Sequence, residues 1–575
     1  MASLRRDFRV LSGANQLLWS NRSSWKCASC KVTPTTVRPP RRFATTAGRA
    51  SNDSKGASTK PYYVTTPIFY VNSAPHVGHL YTMVVADILK RWRKQLLGEE
   101  QAKLLTGTDE HGMKIQQAAL AAGIDTQTFC DNNCKTFKDL AQAANMDYDR
   151  FIRTTDPEHK EAVQYFWDML QHRGYIYTAK HEGWYSVSDE TFYPESQIHL
   201  ALDPATGRKR MVSIETGKEV EWTSETNYHF RLSAMKNRLL NLYKTGFITP
   251  EHYAPAIIQS VNSGLSDLSI SRPAQRLTWG VPVPNDDTQT IYVWLDALVN
   301  YLTAAGYPFT PGKESGHGWP ADVHLVGKDI VRFHCVYWPA FLMALDLPLP
   351  RNVLVHGHWK INQEKMSKST GNTVNPFFAI DRFGADTMRF FLAHHAKLDG
   401  DANYDNQLII NAYKKYLQQG IGNTMYRILG IAGRNLRWYV EHSAEFGPSA
   451  LDQAYEKDLA QLPISVAEHM NNLKPHKAIS KLMKFALQTN KYFQSTEPWT
   501  DSTGKARSIF NVLEALRITA ILLQPYMPTK AEEMLDLFHV QPTRRKLEHA
   551  QYGSDLDYGS GIRKKMLFPP LITED

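Results

Sequence analysis

The two histidines of the stretch "HVGH" (76–79) are spaced to bind one anionic ligand. A β-branched and aromatic stretch, "YYVTTPIFYV" (62–71), precedes them and predicts a strand. Apolar residues recur at helical spacing behind them, so His76 and His79 would lie on the first turn of a helix. The free N–H groups and partial positive charge at that end favour phosphate, and Gly78 would let a ligand approach the backbone. Two ordinary surface histidines are the alternative interpretation.

A second cationic stretch, "QEKMSKSTGN" (363–372), follows much later in the chain. It shows no helical or strand periodicity and ends in residues that suit a turn, so we predict an exposed loop. Lys365 and Lys368 give this loop its positive charge.

Together, the strand–HxGH–helix unit and the later KMSKS loop resemble the paired signature of class I aminoacyl-tRNA synthetases. The resemblance implies a Rossmann-type α/β domain that binds ATP, with Mg²⁺, between the two motifs. It also implies that Lys368 stabilises the charge that grows on the leaving pyrophosphate. The implied ATP-binding residues are His76, Gly78, His79, Lys368 and Ser369, and the implied catalytic residues are His76, His79, Lys365 and Lys368.

Four further stretches resemble the methionyl-tRNA synthetases of that family. They are "TTPIFYVNSAPHVGH" (65–79), "TGTDEHGMKI" (106–115), "VWLDALVNY" (293–301) and "GKDIVRFH" (327–334). The resemblance implies that Asp109 pairs with the ammonium of methionine and that His334 closes the far side of a thioether pocket. The residues implied for the wall of this pocket are Ile68, Tyr70, Trp294, Leu298 and Tyr301.

The residue types suit that pocket, because a polarizable thioether favours contact with aromatic faces. Core packing is the alternative interpretation for Trp294 and Tyr301. Leu298 departs from the family pattern, since many relatives carry a proline there. We expect this difference to alter backbone stiffness more than specificity.

Beyond residue 405, long helical patterns replace strand patterns and predict an α-helical bundle. The longest of these patterns cover 405–430, 451–494 and 505–524. The resemblance implies that this bundle binds the tRNA anticodon through Asn423, Arg427 and Trp499. A solvated helix face is the alternative for Arg427, and bundle packing is the alternative for Trp499. We expect a monomer, because no dimerisation domain is recognisable in the sequence.

The net charge of +9 is concentrated near the N terminus. Residues 1–50 hold ten Arg and Lys residues against Asp7 alone, so residues 51–575 carry no net charge. An Arg-, Ser- and Thr-rich leader that is poor in acidic residues resembles a mitochondrial transit peptide, with a disordered tail as the alternative. We therefore expect the protein in the mitochondrial matrix. No apolar run approaches the roughly 18 residues of a membrane span, so we expect no membrane association.

These patterns predict five segments. They are a leader and linker (1–58), the first half of the catalytic domain (59–180), a connective insertion (181–245), the second half of the catalytic domain with the KMSKS region (246–404), and the helical domain with the C-terminal tail (405–575).

Many relatives carry a zinc knuckle with CxxC pairs in the connective insertion. Here Ser186 and Asp189 stand where the first pair would be expected, and residues 198–222 contain no cysteine. Thiolates and imidazoles normally build a closed zinc site, so we predict that the protein holds no structural zinc. We expect the insertion to be held instead by aromatic side chains that pack together, namely Trp184, Tyr185, Phe192 and Trp222.

The sequence thus predicts an enzyme that joins methionine to a mitochondrial methionine tRNA at the expense of ATP. A nucleotidylyltransferase is one alternative, since such enzymes also use an HxGH phosphate site. A catalytically inactive tRNA-binding scaffold is another. Dependence of pyrophosphate exchange on methionine would separate these possibilities.

Overall fold

The structure is a computed structural model of the chain. It describes residues 60–187, 191–203, 206–310, 316–361, 364–365, 373–431, 435–560 and 565–571. The expected leader therefore lies outside the described residues, as do Lys368 and Ser369 of the KMSKS motif. The described residues belong to a single compact unit.

Nineteen strands are present in the described part of the chain. Their bounds are β1 Tyr62–Thr65, β2 Phe69–Tyr70, β3 Ala102–Asp109, β4 Arg150–Arg153, β5 Ile176–Ser186, β6 Thr191–Tyr193, β7 Ile198–Leu202, β8 Lys209–Ser213, β9 Glu221–Phe230, β10 Ile248–Thr249, β11 Leu268–Ser269, β12 Ser271–Pro273, β13 Pro282–Val283, β14 Asp286–Ile291, β15 Val323–Gly327, β16 Val353–His356, β17 Trp359–Ile361, β18 Glu364–Lys365 and β19 Ala402–Asn403. The last of them ends at Asn403, which agrees with the predicted change to helices near residue 405.

Seventeen α-helices accompany the strands within the described residues. Their bounds are α1 Val77–Leu97, α2 Met113–Ala122, α3 Thr126–Ala143, α4 Pro157–His172, α5 Lys236–Tyr243, α6 Ala254–Ser263, α7 Val293–Thr303, α8 Trp338–Ala344, α9 Pro376–Phe383, α10 Ala385–His395, α11 Asn406–Ala412, α12 Asn423–Ile431, α13 Leu436–His442, α14 Ala450–Asn471, α15 Pro475–Thr496, α16 Ala506–Leu523 and α17 Pro528–Leu537. None of them combines the length and apolarity that a membrane crossing requires.

A seven-stranded parallel sheet forms the centre of the catalytic half. Its order is β10–β16–β15–β1–β3, and both β2 and β4 pair with β3. Val64 of β1 lies in register with Leu104 of β3 on one side and Val323 of β15 on the other. Each of these residues is almost completely buried, as expected for a parallel sheet covered on both faces. The predicted Rossmann-type architecture is confirmed, and a helical region follows it in the sequence.

The predicted helical region is confirmed, and the structure adds a division within one of its patterns. The pattern over 451–494 is two helices, α14 and α15, and the chain reverses direction between them. Leu473 takes a left-handed conformation (φ 54°), and Pro475 opens α15. A proline disfavours helical backbone at the residue before it, which explains why one apolar pattern divides into an antiparallel pair.

The connective insertion is built on a long antiparallel pair, β5 and β9, with Trp184 opposite Trp222. The prediction that its four aromatic residues pack together is wrong. Trp184 and Trp222 contact each other with ring centroids 5.5 Å apart, and Trp222 is 54% exposed. Tyr185 instead meets Phe192 at 4.9 Å, in a separate cluster with Met113 of the catalytic half. Successive strand residues point to opposite faces, so Trp184 and Tyr185 cannot share one cluster.

Candidate active site

A cavity of about 400 Å³ opens where the central strands end. The segment after β1, the end of β3, the end of β15 and the end of β16 all contribute to its wall, together with α1 and α7. Ligands of open parallel sheets bind outside the carboxyl ends of the strands. The predicted residues that line this cavity are Ile68, Tyr70, His76, Gly78, His79, Asp109, Trp294, Leu298, Tyr301 and His334.

The HVGH segment forms the beginning of α1, as predicted. His76 is the N-cap residue, and its Nδ1 accepts a hydrogen bond from the backbone N–H of Gly78 at 3.0 Å. The Nδ1 of His79 accepts from the backbone N–H of His76, also at 3.0 Å. The two rings stack with centroids 3.9 Å apart. Since both Nδ1 atoms accept, the hydrogen of each neutral imidazole lies on Nε2, where it is a donor.

Gly78 has a different structural reason from the one expected. A Cβ atom at this position would lie 2.8 Å from Cε1 and 2.9 Å from Nδ1 of His76. The space beside the glycine is therefore filled by the imidazole of the N-cap residue. A larger side chain would push that ring away and remove the cap from α1.

Asp109 and the aromatic residues line the same cavity from different elements. Asp109 is the last residue of β3, whereas Trp294, Leu298 and Tyr301 lie on α7. The ring of Trp294 stacks on Phe333 with centroids 3.5 Å apart and an interplanar angle of 8°. This end of the cavity therefore combines one carboxylate with an apolar, aromatic surface.

His334 closes the aromatic end of the cavity from a short π-helical turn, Phe333–Tyr337. Such turns often occur at functional sites because they displace a side chain from its regular helical position. The hydroxyl of Tyr301 lies 2.7 Å from Nε2 of His334, and Nδ1 of the same ring lies 2.9 Å from the carbonyl oxygen of Ile330. Burial lowers the pKa of His334 to about 4, so the ring is neutral at physiological pH.

A buried carboxylate joins α7 to the turn after Asp109. Asp296 lies 2.7 Å from Nδ1 of His111 and 2.9 Å from Nε2 of His159, and all three residues are almost fully buried. Burial alone would raise the pKa of Asp296, but the two histidines outweigh it and lower the pKa to about 2. An ionised carboxylate only accepts, so each imidazole donates an N–H to it.

The KMSKS motif lies mostly outside the described residues. Its first lysine, Lys365, is not in a loop as predicted, because its backbone pairs with Lys360 in the short hairpin of β17 and β18. Asp401, next to β19, pairs with Lys360 of this hairpin at 2.8 Å and with Lys328, just after β15, at 2.7 Å. Burial opposes ionisation of Asp401, but these two lysines hold its pKa below the usual range.

Comparison with protein-family models was decisive. A model described as tRNA synthetases class I (M) matches residues 62–429, and a model described as the anticodon-binding domain of tRNA ligase matches residues 452–558. The chain belongs to the class I (M) tRNA synthetases. The resemblance inferred from the HxGH and KMSKS motifs is thereby confirmed.

Other members of this synthetase family are similar over nearly their whole length. A probable mitochondrial methionine–tRNA ligase of Neurospora crassa is 48% identical, with 96% of this chain and 92% of that protein covered. A mitochondrial methionine–tRNA ligase of Xenopus laevis is 40% identical, with 88% and 92% covered. The solved methionyl-tRNA synthetase of Mycobacterium tuberculosis in complex with methionyl-adenylate is 38% identical. It matches with a TM-score of 0.81 over 89% of this chain and 100% of that chain.

The residues predicted for the anticodon lie near one another in the helical region, and we call these three residues the second site. The guanidinium of Arg427 on α12 lies 4.8 Å from the ring centre of Trp499, which is 42% exposed. Arg427 also donates to Gln494 Oε1 at 3.0 Å. Asn423 is exposed at the first position of the same helix, one turn before Arg427.

Sequence reasoning did not single out several residues that line the cavity. His356 at the end of β16 lies 2.9 Å from Thr82 Oγ1 on α1, and Lys114 lies 5.8 Å from the ring centre of Tyr70. Both line the cavity, as do Asn300 and Asp329. Lys114, Asn300 and Asp329 fall within stretches that carried the resemblance, and His356 ends a buried strand, which was the available signal for it.

Proposed function

We propose that this synthetase is a methionine–tRNA ligase of the mitochondrial matrix. In the first step, a carboxylate oxygen of methionine attacks the α-phosphorus of ATP, and the bond to the β-phosphate breaks. The products are methionyl-adenylate and pyrophosphate. The observation that carries this proposal is one cavity that joins the HVGH helix end to Asp109 and an aromatic pocket.

The phosphate side of the cavity would act through hydrogen bonds and charge. The Nε2–H groups of His76 and His79 would donate to phosphate oxygens, and Gly78 would keep the ring of His76 in place. Lys368 and Lys365 would neutralise the charge that develops on the leaving pyrophosphate, with Ser369 as a further hydrogen-bonding group. Mg²⁺ bound to ATP would share that charge.

The amino-acid side of the cavity would select methionine. Asp109 would pair with the ammonium group, and the side chain would enter the pocket formed by Ile68, Tyr70, Trp294, Leu298 and Tyr301. A neutral His334 suits this role, because a charged ring would have to be desolvated against an apolar thioether. The hydroxyl of Tyr301 orients that ring.

The second step would pass methionine to tRNA without a protein nucleophile. A hydroxyl group of the 3′-terminal ribose attacks the carbonyl carbon of the adenylate, and AMP leaves. Positioning of the two substrates supplies the rate of this step. The bundle would hold a mitochondrial methionine tRNA by its anticodon through Asn423, Arg427 and Trp499, with a base stacked on the exposed indole.

Localisation rests on two supports: the relatives from Neurospora crassa and Xenopus laevis are named as mitochondrial, and the first 50 residues are strongly basic. The domain limits 1–58, 59–180, 181–245, 246–404 and 405–575 and the monomeric state stay predictions. Sedimentation of the purified protein tests the latter.

A charging assay tests the proposed activity. The purified protein, radiolabelled methionine, ATP and a transcript of the organism's own mitochondrial methionine tRNA should give acid-precipitable methionyl-tRNA, AMP and pyrophosphate. Lys368→Ala should slow adenylate formation by roughly 3–4 kcal/mol in the transition state while methionine binding persists. A wild-type protein that forms no methionyl-tRNA would contradict the proposal, and an unchanged rate in the variant would remove Lys368 from the mechanism.

A further inference from the structure

Helix α15 carries unusual charge for a surface helix. Its 22 residues include four lysines and no Asp or Glu. Three of the lysines, Lys477, Lys484 and Lys491, are spaced seven residues apart and are all exposed. Seven residues make almost two full turns, so the three side chains lie along one face at steps of about 10.5 Å. We call these three residues the lysine stripe.

The lysine stripe has no role in holding the fold together. Within the part of the chain that the structure describes, its side chains make no hydrogen bond and no ion pair, and they contact no aromatic face. Lysines elsewhere do: Lys328 pairs with Asp401 at 2.7 Å, and Lys530 pairs with Glu533 at 2.8 Å. The stripe's charge is therefore uncompensated by the described residues.

The placement of these charges is unfavourable for the isolated helix. Lys474 and Lys477 lie at the N-cap and in the first turn of α15, which holds no acidic residue. Cations at a helix N-terminus face the positive end of the helix dipole and destabilise it. Burial, together with the positive charges of Lys477 and Lys474, lowers the pKa of the nearby His476 to about 4, although Asp399 opposes the shift. An anionic partner would relieve this repulsion.

The stripe leads to the second site. Gln494, one turn beyond Lys491, accepts a hydrogen bond from Arg427, whose guanidinium contacts the exposed ring of Trp499. Toward its N-terminal end, α15 runs alongside α10, and the first turn of α15 lies near Asp399. Two residues after Asp399, Asp401 pairs with Lys360 of the β17–β18 hairpin. The three lysines thus cover about 21 Å between the second site and the catalytic half.

We propose that Lys477, Lys484 and Lys491 bind phosphate groups spaced along the anticodon arm of the tRNA. The inference rests on the proposed function, which supplies the tRNA. Lysine is a flexible point charge, which suits a phosphate backbone rather than base edges. The stripe would set the register of the tRNA, so that one end reaches Arg427 and Trp499 while the other end of the molecule reaches the cavity.

The test compares the salt dependence of tRNA binding in two triple variants. One is Lys477→Gln/Lys484→Gln/Lys491→Gln. The matched control, Lys135→Gln/Lys244→Gln/Lys546→Gln, removes the same charge from exposed lysines elsewhere on the protein. The probe is the mitochondrial methionine tRNA transcript, and its dissociation constant is measured at several salt concentrations.

Loss of three phosphate contacts should reduce the slope of log K against log salt by about 2 to 3. The stripe variant should lose tRNA affinity at low salt and keep wild-type pyrophosphate exchange, and the control should keep the wild-type slope. The variant Lys477→Arg/Lys484→Arg/Lys491→Arg should keep the wild-type slope, because the three positive charges are retained. Lys484→Gln alone should reduce it by about 0.7 to 0.9, which provides a reading if the triple variant folds poorly.

A stripe variant with the wild-type slope would overturn the proposal, and so would an equal loss of slope in the control. Failure of the proposed function would look different. A wild-type protein without methionine-dependent pyrophosphate exchange would contradict the ligase activity, whereas the salt slope would still decide whether the stripe binds RNA phosphates.

Discussion

Replacement of Asp296 by Asn should weaken methionine binding indirectly, because Asp296 bonds to His111 and His159 rather than to methionine. Asp296 is completely enclosed and accepts hydrogen bonds from His111 and His159. His111 follows Asp109 by two residues, and Asp296 itself lies on α7 between Trp294 and Leu298. The carboxylate therefore fixes the distance between the expected ammonium-binding group and the wall of the thioether pocket. We regard it as a positioning residue.

The size of the effect follows from the hydrogen bonds. An Asn side chain has nearly the same shape, but its NH₂ group would face one of the two imidazole N–H groups. One buried donor would lose its acceptor, which costs about 1–3 kcal/mol. If this cost is relieved by movement of the His111 turn, KM for methionine should rise by about 5- to 150-fold, and KM for ATP should stay unchanged.

Methionine-dependent pyrophosphate exchange measures both constants, and urea unfolding measures stability. The matched control is Asp452→Asn in the bundle. Asp452 is also buried and bonded, to Ser449 and Ser508, but it is part of α14, outside the catalytic half. Both variants should lose unfolding free energy, and only the Asp296 variant should lose methionine affinity. An Asp296→Asn enzyme with the wild-type KM for methionine would refute the positioning role.

Three further predictions concern other parts of the molecule. Burial moves the pKa of His334 from 6.5 to about 4, so the unfolded chain binds this proton at a higher pH than the folded chain does. Wild-type stability should therefore fall as the pH drops from about 6.5 to 4. In urea unfolding at several pH values, His334→Asn should show a weaker dependence of stability on pH. Trp499→Ala should raise KM for tRNA by about 5- to 150-fold, which corresponds to roughly 1–3 kcal/mol of lost base stacking, and should leave pyrophosphate exchange intact. Equal losses in both assays would mean that the indole only supports the bundle. The purified protein should contain no stoichiometric zinc by elemental analysis, since Ser186 and Asp189 stand where the first CxxC pair would be expected and residues 198–222 contain no cysteine. Zinc that survives dialysis and whose removal abolishes activity would contradict this.

The predicted cavity residues came from two sources. Local patterns placed His76 and His79 on the first turn of a helix that follows a strand, whereas Asp109 and the pocket residues came from the family resemblance. In a parallel sheet the carboxyl ends of all strands lie at the same edge. This arrangement brings segments such as 327–334 to the cavity, although they are far from HVGH in the chain.

The contacts of Asp296 could not be predicted in this way. Its two histidine partners are 185 and 137 residues away in the sequence, and neither lies in a pattern that distinguishes a buried donor from a surface side chain. The use of both Nδ1 atoms of the HVGH histidines as caps for α1 was likewise invisible, because it depends on ring orientation.

Two details of the structure that the sequence interpretation did not give had signals in the sequence. Pro475 in "NNLKPH" (471–476) marks the division of the long helical pattern, since the residue before a proline avoids helical backbone. The adjacent positions of Trp184 and Tyr185 on one strand place their rings on opposite faces. In both cases the apolar composition was correctly recognised and the backbone rule was not applied.

The central claim is that one cavity activates methionine with ATP, and pyrophosphate exchange with each of the twenty amino acids tests it most directly. The purified protein should incorporate labelled pyrophosphate into ATP with methionine and show only background exchange with the other nineteen. Asp109→Ala should abolish the methionine signal. Exchange that is independent of any amino acid, or that is driven by a different one, would contradict the account.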